Sequence, residues 1–210
     1  NITTTVKNRI TSSAATALDS FKNVESVQIK GGVSNNVISA GGGTFGTLTR
    51  SAFSGTFIAS GAAGVDTITG GTFKNWLAGR GFASGVTNGV ETITGTTASG
   101  SADFFDLRND ALTGAAYVGG NNSDYAKIVN FNASTDKLVL TSVTLPYKLA
   151  FTQVRDAKTK AITDEYWAVS TSGGDLIAQV RGNGLGTLTG STTPSVLYGT
   201  GDQSTFGVGF

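Results

Sequence analysis

An internal repeat is the feature that most restricts how this chain can fold. Residues Gly64–Gly70 (GVDTITG) return as Gly89–Gly95 (GVETITG) 25 residues later, and Asn23–Gly31 is a weaker copy further upstream. Short β-prone segments that recur every 20–50 residues are typical of folds in which successive coils stack. One coil cannot bury its apolar face alone, so neighbouring coils share a core. The repeat therefore predicts inward-facing ladders of Val65 with Val90 and of Ile68 with Ile93.

Short segments of the same type surround the repeat. They alternate β-branched and polar residues and are separated by Gly, Asn and Ser, which is typical of strands joined by tight turns. The 30 glycines of the chain fit turns that need a positive φ or a close approach of two backbones. Ser12–Phe21 is the one segment that predicts a short helix. The predicted strands of this half are Val24–Lys30, Asn36–Ser39, Gly55–Ser60, Val65–Thr69 and Val90–Thr94.

From about Ser101 the apolar segments become longer. Tyr125–Phe131 is one of them, and the pair Gly173-Gly174 predicts a hairpin between two more. We expect an all-β fold in which a parallel β-solenoid or β-roll over residues 23–100 is capped by an antiparallel β unit over residues 101–210. Residues 1–22 would form an N-terminal arm. A β-sandwich with similar hairpins remains open at this stage.

Three missing residue types restrict the chemistry. The chain has no His, Cys or Met, so a Ser-His-Asp triad, a thiol nucleophile and a His/Cys zinc site are all excluded. Its 14 acidic residues are mostly isolated along the sequence, as solvated surface carboxylates usually are. These features predict a protein that is not an enzyme.

The charge and hydropathy of the chain argue against nucleic acid and membranes as partners. The net charge is +1, and neither half has the dense basic patch that binding to nucleic acid requires. No apolar run approaches the ~20 residues of a membrane-spanning helix. The sequence starts with Asn and shows no signal peptide, from which we expect a processed form or an excerpt of a longer protein.

Several motifs resemble those of a known group of exported proteins. Gly89–Gly95 followed by Ser101–Leu107 resembles degenerate hemolysin-type (RTX-like) repeats. Asp124–Phe131 with Asp136–Leu140, and later Gly174–Gly182, resemble the C-terminal domain that accompanies such repeats in cyanobacterial secreted proteins. The resemblance covers residues 103–198 well and the first hundred residues loosely.

The resemblance implies secretion by a type I-like route and a β-roll stabilised by Ca²⁺. The sequence departs from the calcium-binding pattern at Glu91, where an Asp is expected, and its glycine turns near residues 31 and 41 lack Asp. Carboxylate and amide oxygens are suitable Ca²⁺ ligands, although the same residues often cap turns. The candidate ligands are Asp66, Asp106, Asp124, Asn130 and Asp136.

Low, balanced charge and polar, Thr-rich strands favour self-association. We expect an extracellular structural protein that self-assembles as a surface layer, sheath or filament, with Asn1–Val6 and Thr205–Phe210 as unpartnered β segments that add to a neighbour's sheet. The alternative is the repeat-plus-secretion module of a larger exported enzyme or adhesin. A third possibility is a β-solenoid that binds or cleaves carbohydrate, with cell-surface polysaccharide as its partner. The aromatic residues that would contact sugars are predicted instead as core: Phe45, Phe53, Phe57, Phe73, Trp76 and Phe82.

Overall fold

The computed structural model describes residues 26–41, 54–79, 89–98, 101–108, 115–119, 122–141, 147–183 and 196–198, and the backbone of three further short strands. Over these residues the chain is all-β, as predicted, and the segment Ser12–Phe21 lies outside them. The strands are β1 (Thr4–Thr5), β2 (Ser26–Lys30), β3 (Val37–Ser39), β4 (Gly43–Phe45), β5 (Leu48–Arg50), β6 (Thr56–Ser60), β7 (Thr67–Thr69), β8 (Asn75–Ala78), β9 (Val90–Thr94), β10 (Asp103–Asp106), β11 (Tyr125–Asn132), β12 (Lys137–Leu140), β13 (Tyr147–Arg155), β14 (Ile162–Thr171), β15 (Leu176–Asn183) and β16 (Val196–Tyr198).

The strands alternate between two sheets. Sheet 1 has the order β1-β2-β6-β8-β10-β12-β16, and sheet 2 has the order β13-β14-β15-β11-β9-β7-β3. From β6 to β12 each strand lies in the sheet opposite to that of its predecessor. All pairs of sheet 1 are parallel, as are those from β3 to β15 in sheet 2. Among the described strands neither sheet closes on itself, and β4 and β5 form a separate antiparallel pair.

The repeat identified in the sequence forms neighbouring strands of sheet 2. Ile68 of β7 pairs in register with Ile93 of β9, and the row extends to Ile38 on one side and Ile128 on the other. All four side chains are buried, which confirms the predicted isoleucine ladder.

The predicted valine ladder is wrong. Val65 is 36% exposed and Val90 is only half-buried. Successive side chains of a strand point to opposite faces, so residues three apart, such as Val65 and Ile68, cannot share the inner face. The positions that do share it with Ile68 and Ile93 are Asp66 and Glu91, which are buried.

The weaker upstream copy belongs to the other sheet. Its strand β2 pairs with β6 in sheet 1, whereas the strand that precedes the repeat in sheet 2 is β3. The sequence similarity of the weaker copy therefore reflects a shared β pattern rather than an equivalent position in the fold.

The inner faces of both sheets contribute to one buried cluster. Phe57, Leu77, Phe105 and Leu138 come from sheet 1 and pack with the isoleucine ladder of sheet 2, so the two sheets lie face to face. A second cluster on the other face of sheet 1 contains Ile58, Trp76, Phe104 and Val139. Of the aromatic residues predicted as core, Phe57 and Trp76 are buried, whereas Phe73 is 52% exposed. The side chains of Phe45, Phe53 and Phe82 lie outside the described residues.

The antiparallel unit expected after residue 101 is smaller than predicted. Strands β10, β11, β12 and β16 pair in parallel with their neighbours, and antiparallel pairing is confined to β13, β14 and β15. The hairpin predicted at Gly173-Gly174 joins β14 to β15, with Gly174 at φ +90°. The pairs β8–β10 and β9–β11 run across residues 100 and 101, so both sheets continue through the expected boundary.

The N-terminal segment has a partner within its own chain. Thr4 and Thr5 form β1, which pairs in parallel with Val27 and Gln28 of β2. The expectation that Asn1–Val6 is unpartnered is therefore wrong for these residues. Thr205–Phe210 lies outside the described residues.

The substitution Ile68→Ala tests the isoleucine ladder. It removes buried methyl and methylene groups between two neighbouring rungs, and we expect the free energy of unfolding in urea to fall by ~2–5 kcal/mol. The control Thr67→Ala changes the adjacent, exposed residue of the same strand, and we expect an effect within ~0.5 kcal/mol. Equal losses in the two variants would contradict this placement of the ladder.

Candidate functional site: ladders of buried polar side chains

Asn36, Asp66 and Glu91 form the first of two buried polar ladders. Each residue directly precedes one of the paired residues Val37, Thr67 and Thr92, so the three lie on successive rungs of sheet 2. Asp66 and Glu91 are buried and Asn36 is half-buried. We call this set the first ladder.

Asp66 is held mainly through one of its two carboxylate oxygens. The backbone N–H of Asn36 donates to Oδ1 at 2.7 Å, and Nδ2 of Asn36 donates to the same atom at 3.0 Å. The other oxygen, Oδ2, is buried and has no hydrogen-bond partner among the described residues. Burial raises the pKa of Asp66, and the two bonds from Asn36 only partly offset this effect.

Glu91 is bound by a tyrosine from the segment after β10. The hydroxyl of Tyr117 donates to Oε2 of Glu91 at 2.5 Å, and both side chains are buried. Tyr117 has a φ of +61°, a left-handed conformation that non-glycine residues rarely adopt. The Tyr117–Glu91 bond thus links the segment after β10 to the start of β9.

Stacked glycines make room for the first ladder. Gly61 and Gly79 directly follow Ser60 and Ala78, which pair in sheet 1. A Cβ at Gly61 would overlap the carboxylate of Asp66 and the carbonyl oxygen of Gly79. A Cβ at Gly79 would overlap the carboxylate of Glu91. Glycine is therefore required here by the close approach of the two sheets rather than by backbone flexibility.

Asn75, Asp103 and Asp136 form the second ladder, at the opposite corner where the chain passes from sheet 2 to sheet 1. Asn75 pairs with Asp103, and Asp136 directly precedes the residue paired with Phe104. Nδ2 of Asn75 donates to Oδ1 of Asp103 at 2.6 Å. The backbone N–H of Asp103 donates to Oδ1 of Asp136 at 3.1 Å. All three residues of the second ladder are buried.

Each member of the second ladder also accepts a hydrogen bond from a backbone N–H group four to seven residues before it in the chain. The donors are the backbone N–H groups of Gly71 to Asn75, Thr96 to Asp103 and Asn132 to Asp136, at 2.6–2.8 Å. Turn amides that the sheets leave unpaired are thereby satisfied, which buried backbone requires. The second ladder fixes both the turn geometry and the register between the parallel strands β8, β10 and β12.

Burial disfavours the charged form of the two carboxyls in the second ladder. Burial raises the pKa of Asp103 to about 7, and the nearby charge of Asp136 acts in the same direction. Hydrogen bonds from Asn75 and Thr96 lower the pKa of Asp103 but do not cancel the effect of burial. The pKa of Asp136 is also raised, again mainly by burial.

A third buried polar group lies beside the second apolar cluster. Asp106 accepts hydrogen bonds from Nε1 of Trp76 at 3.1 Å and from Nε and Nη2 of Arg108 at 2.8 and 2.7 Å. The guanidinium carbon of Arg108 lies 5.6 Å from the centroid of the Trp76 ring, and Phe104 stacks on Trp76 at 5.5 Å. A buried carboxylate with a bidentate Arg partner is held as a structural ion pair.

The five predicted calcium ligands lie at separate places in the fold. Asp66 belongs to the first ladder, Asp136 to the second, and Asp106 to the Trp76–Arg108 group. Asp124 is buried directly before β11, and Asn130 lies in the irregular part of β11 with a φ of +63°. No group of three or more His, Cys, Asp or Glu side chains suited to a metal occurs in the part of the chain that the structure describes.

Sequence reasoning missed four of the six ladder residues as a set: Asn36, Glu91, Asn75 and Asp103. A signal was present for the first ladder, since Asn36, Asp66 and Glu91 each stand two residues before an isoleucine of the buried row. A polar residue on the inner face of a strand is unusual, and its recurrence before the same apolar residue marks a ladder. The second ladder has no such constant spacing.

Comparison with protein-family models, with curated proteins and with solved structures finds no match for this chain. Among the described residues, no helix has the length and apolar character needed to cross a membrane.

The raised pKa of Asp103 predicts the pH dependence of stability. In the folded chain the Asp103 carboxyl stays protonated up to about pH 7, whereas in the unfolded chain it loses its proton near pH 4. Between these pH values the folded state therefore binds more protons than the unfolded state. The free energy of unfolding should therefore fall as the pH rises from 4 to 7, by up to about 4 kcal/mol from this group, because each tenfold change in proton affinity corresponds to ~1.4 kcal/mol.

Urea unfolding of the wild type and of Asp103→Asn across this pH range measures the effect. We expect a flatter pH profile for Asp103→Asn, because the titrating group is removed. The control Asp156→Asn changes an exposed turn carboxyl whose pKa is lowered, so its titration lies below this range and the wild-type slope should persist. A wild-type slope in Asp103→Asn would show that Asp103 is not the titrating group.

Proposed function

We propose that this chain is a non-enzymatic structural protein of the cell exterior that self-assembles into a surface layer, sheath or filament. Its architecture is a two-sheet parallel β-solenoid ended by an antiparallel hairpin. The observation that carries the proposal is the pair of open sheets stacked along one common direction. Added strands can continue both sheets in that direction, and unpaired strand edges are templates for pairing with another chain.

The ladders support this function because they make each coil rigid. Hydrogen bonds join their carboxylates to backbone amides of neighbouring segments and rungs. Repeated coils held in register present a regular surface, which a polymer needs in order to add identical subunits. Secretion by a type I-like route is part of the proposal and rests on the RTX-like motifs between residues 89 and 182.

Electron microscopy of the purified chain tests self-assembly. We expect regular polymers with a constant subunit repeat, since identical edges recur on every copy. The same protein kept unfolded in urea is the control. If it forms only amorphous aggregates, the regular polymers come from the folded protein and not from association of unfolded chains. Dispersed particles of the folded protein would contradict the proposal and favour the repeat-plus-secretion module of a larger exported protein.

Calcium enters the proposal as a stabilising ion at the first ladder. Ca²⁺ binds carboxylate and carbonyl oxygens, and Oδ2 of Asp66 is a buried carboxylate oxygen without a hydrogen-bond partner among the described residues. Glu91 is the carboxylate on the next rung. Asp106 and Asp136 fit such a site less well, because both of their carboxylate oxygens already accept hydrogen bonds. The ion would neutralise charge that burial makes costly.

Thermal unfolding in millimolar Ca²⁺ and in chelator tests this site. We expect the wild-type Tm to be higher with Ca²⁺, because the ion binds the folded state preferentially. In Asp66→Asn the difference should disappear, whereas in the exposed control Asp156→Asn it should persist. Equal Tm values of the wild type with Ca²⁺ and with chelator would contradict calcium binding.

A further inference from the structure

Strand β13 forms one end of sheet 2 and is nine residues long. It pairs with β14 on one side, and no described strand pairs with its other side. Tyr147 is its one buried residue, while six of its nine residues are exposed. Its outer backbone donors and acceptors therefore have no strand partner among the described residues and can pair with a further strand. By contrast, the opposite end of sheet 2 is β3, which has three residues.

The exposed surface of β13 is partly apolar. Phe151 is 46% exposed and Val154 is 42% exposed, and Ile162 of the adjacent strand β14 is 46% exposed. The Phe151 ring lies 5.7 Å from that of Trp167, so it is already held in place before any partner arrives. Long edge strands with exposed apolar residues are predicted association sites unless charges or bulges protect them.

The charges of β13 lie towards its ends. Lys148 is its second residue and Arg155 its last, and the stretch from Leu149 to Val154 carries no charge. A second β13 in the same direction and register would place Lys148 beside Lys148 and Arg155 beside Arg155, which is destabilising. The antiparallel direction avoids both contacts, so the charges favour a second copy related by a two-fold axis.

One antiparallel register uses the whole strand. Phe151 is the central residue of β13, and only pairing centred on Phe151 places all nine residues of both strands opposite one another. In this register Lys148 faces Val154 of the second copy and Arg155 faces Tyr147 of the second copy. The two Lys148 residues are then six positions apart, roughly 20 Å at ~3.3 Å per residue, which exceeds the ~8 Å screening length at physiological salt. Lys148 and Arg155 of the second copy are one position apart along the pair, and their side chains point to opposite faces of the sheet.

We propose that β13 is a homotypic interface in which two copies of the chain pair β13 with β13, antiparallel, about a two-fold axis at Phe151. The pairing joins sheet 2 of both copies into one continuous sheet and brings the two Phe151 side chains together. This inference rests on the proposed self-assembly and names one of its contacts. An isologous contact of this kind makes a dimer, and the opposite ends of the two solenoids remain for further growth.

Engineered cysteines test the register without background, because the chain contains no cysteine. Directly opposed residues of an antiparallel pair have Cβ atoms ~4.5–5.5 Å apart, near disulfide geometry, whereas diagonal neighbours lie ~7–8 Å apart. We expect Phe151→Cys to form a disulfide-linked dimer under mild oxidation. Ala150→Cys and Thr152→Cys should each remain largely unlinked alone but should cross-link when mixed, since residues 150 and 152 face each other.

A charge variant tests the interface without cross-linking. In dilute solution, below the concentration at which polymers form, light scattering should report a dimer for the wild type and a monomer for Phe151→Lys, which places two like charges at the two-fold axis. The control Val37→Lys changes an exposed residue of β3, 82% accessible, and should remain dimeric. Circular dichroism and urea unfolding establish that both variants are folded.

Two results would overturn the proposal. One is a wild type that is monomeric in light scattering together with a Phe151→Cys variant that stays unlinked. The other is preferential linking of Phe151→Cys to Val37→Cys, which would show head-to-tail pairing of β13 with β3. Electron microscopy separates this inference from the proposed function. Unchanged polymers of Phe151→Lys would refute the β13 interface alone, whereas cross-linked dimers that never polymerise would refute the assembly function alone.

Discussion

Satisfaction of buried polar groups at the corners between the two sheets is the constraint on which this structure depends. A chain that crosses repeatedly between two sheets must turn at each crossing, and each turn leaves amides that no strand can bind. Asp66 at one corner and Asp103 at the other accept hydrogen bonds from backbone amides of neighbouring segments. Because each side chain also contacts its neighbour one rung away, one set of bonds holds both the turn and the register.

The apolar core follows from that register. Once the polar residue of each rung is placed at the corner, the alternation of a strand directs the isoleucine two positions later inward, so Ile38, Ile68, Ile93 and Ile128 form a row. Gly61 and Gly79 serve the same arrangement from sheet 1, since any side chain there would collide with the first ladder. The glycines, the first ladder and the isoleucine row therefore depend on one another.

The ladders have an electrostatic cost that connects stability to the surroundings. Carboxyls placed on adjacent rungs without solvent have raised pKa values, most clearly Asp103. A proton relieves that cost in acid, and at the first ladder a bound cation is proposed to do the same. The antiparallel hairpin of β13 and β14 has a different role. It ends the parallel part of sheet 2 and places a long strand, rather than a short one, at the edge of the sheet. The same hairpin thereby supplies the surface on which the proposed homotypic contact is built.

The sequence by itself predicted the all-β class, the isoleucine ladder between the two copies of the repeat, and the hairpin at Gly173-Gly174, while a β-sandwich stayed open. These three features depend on the alternation of side chains, on identical short segments and on turn residues, all of which can be recognised within a few positions of the sequence. Only the tertiary structure decided which sheet each strand joins, because β2 and β7 have similar patterns and differ in what pairs beside them. It also decided the partners of Asp103 and Glu91, since Asn75 and Tyr117 lie 26 or more residues away and hydrogen bonds between distant rungs leave no local signal.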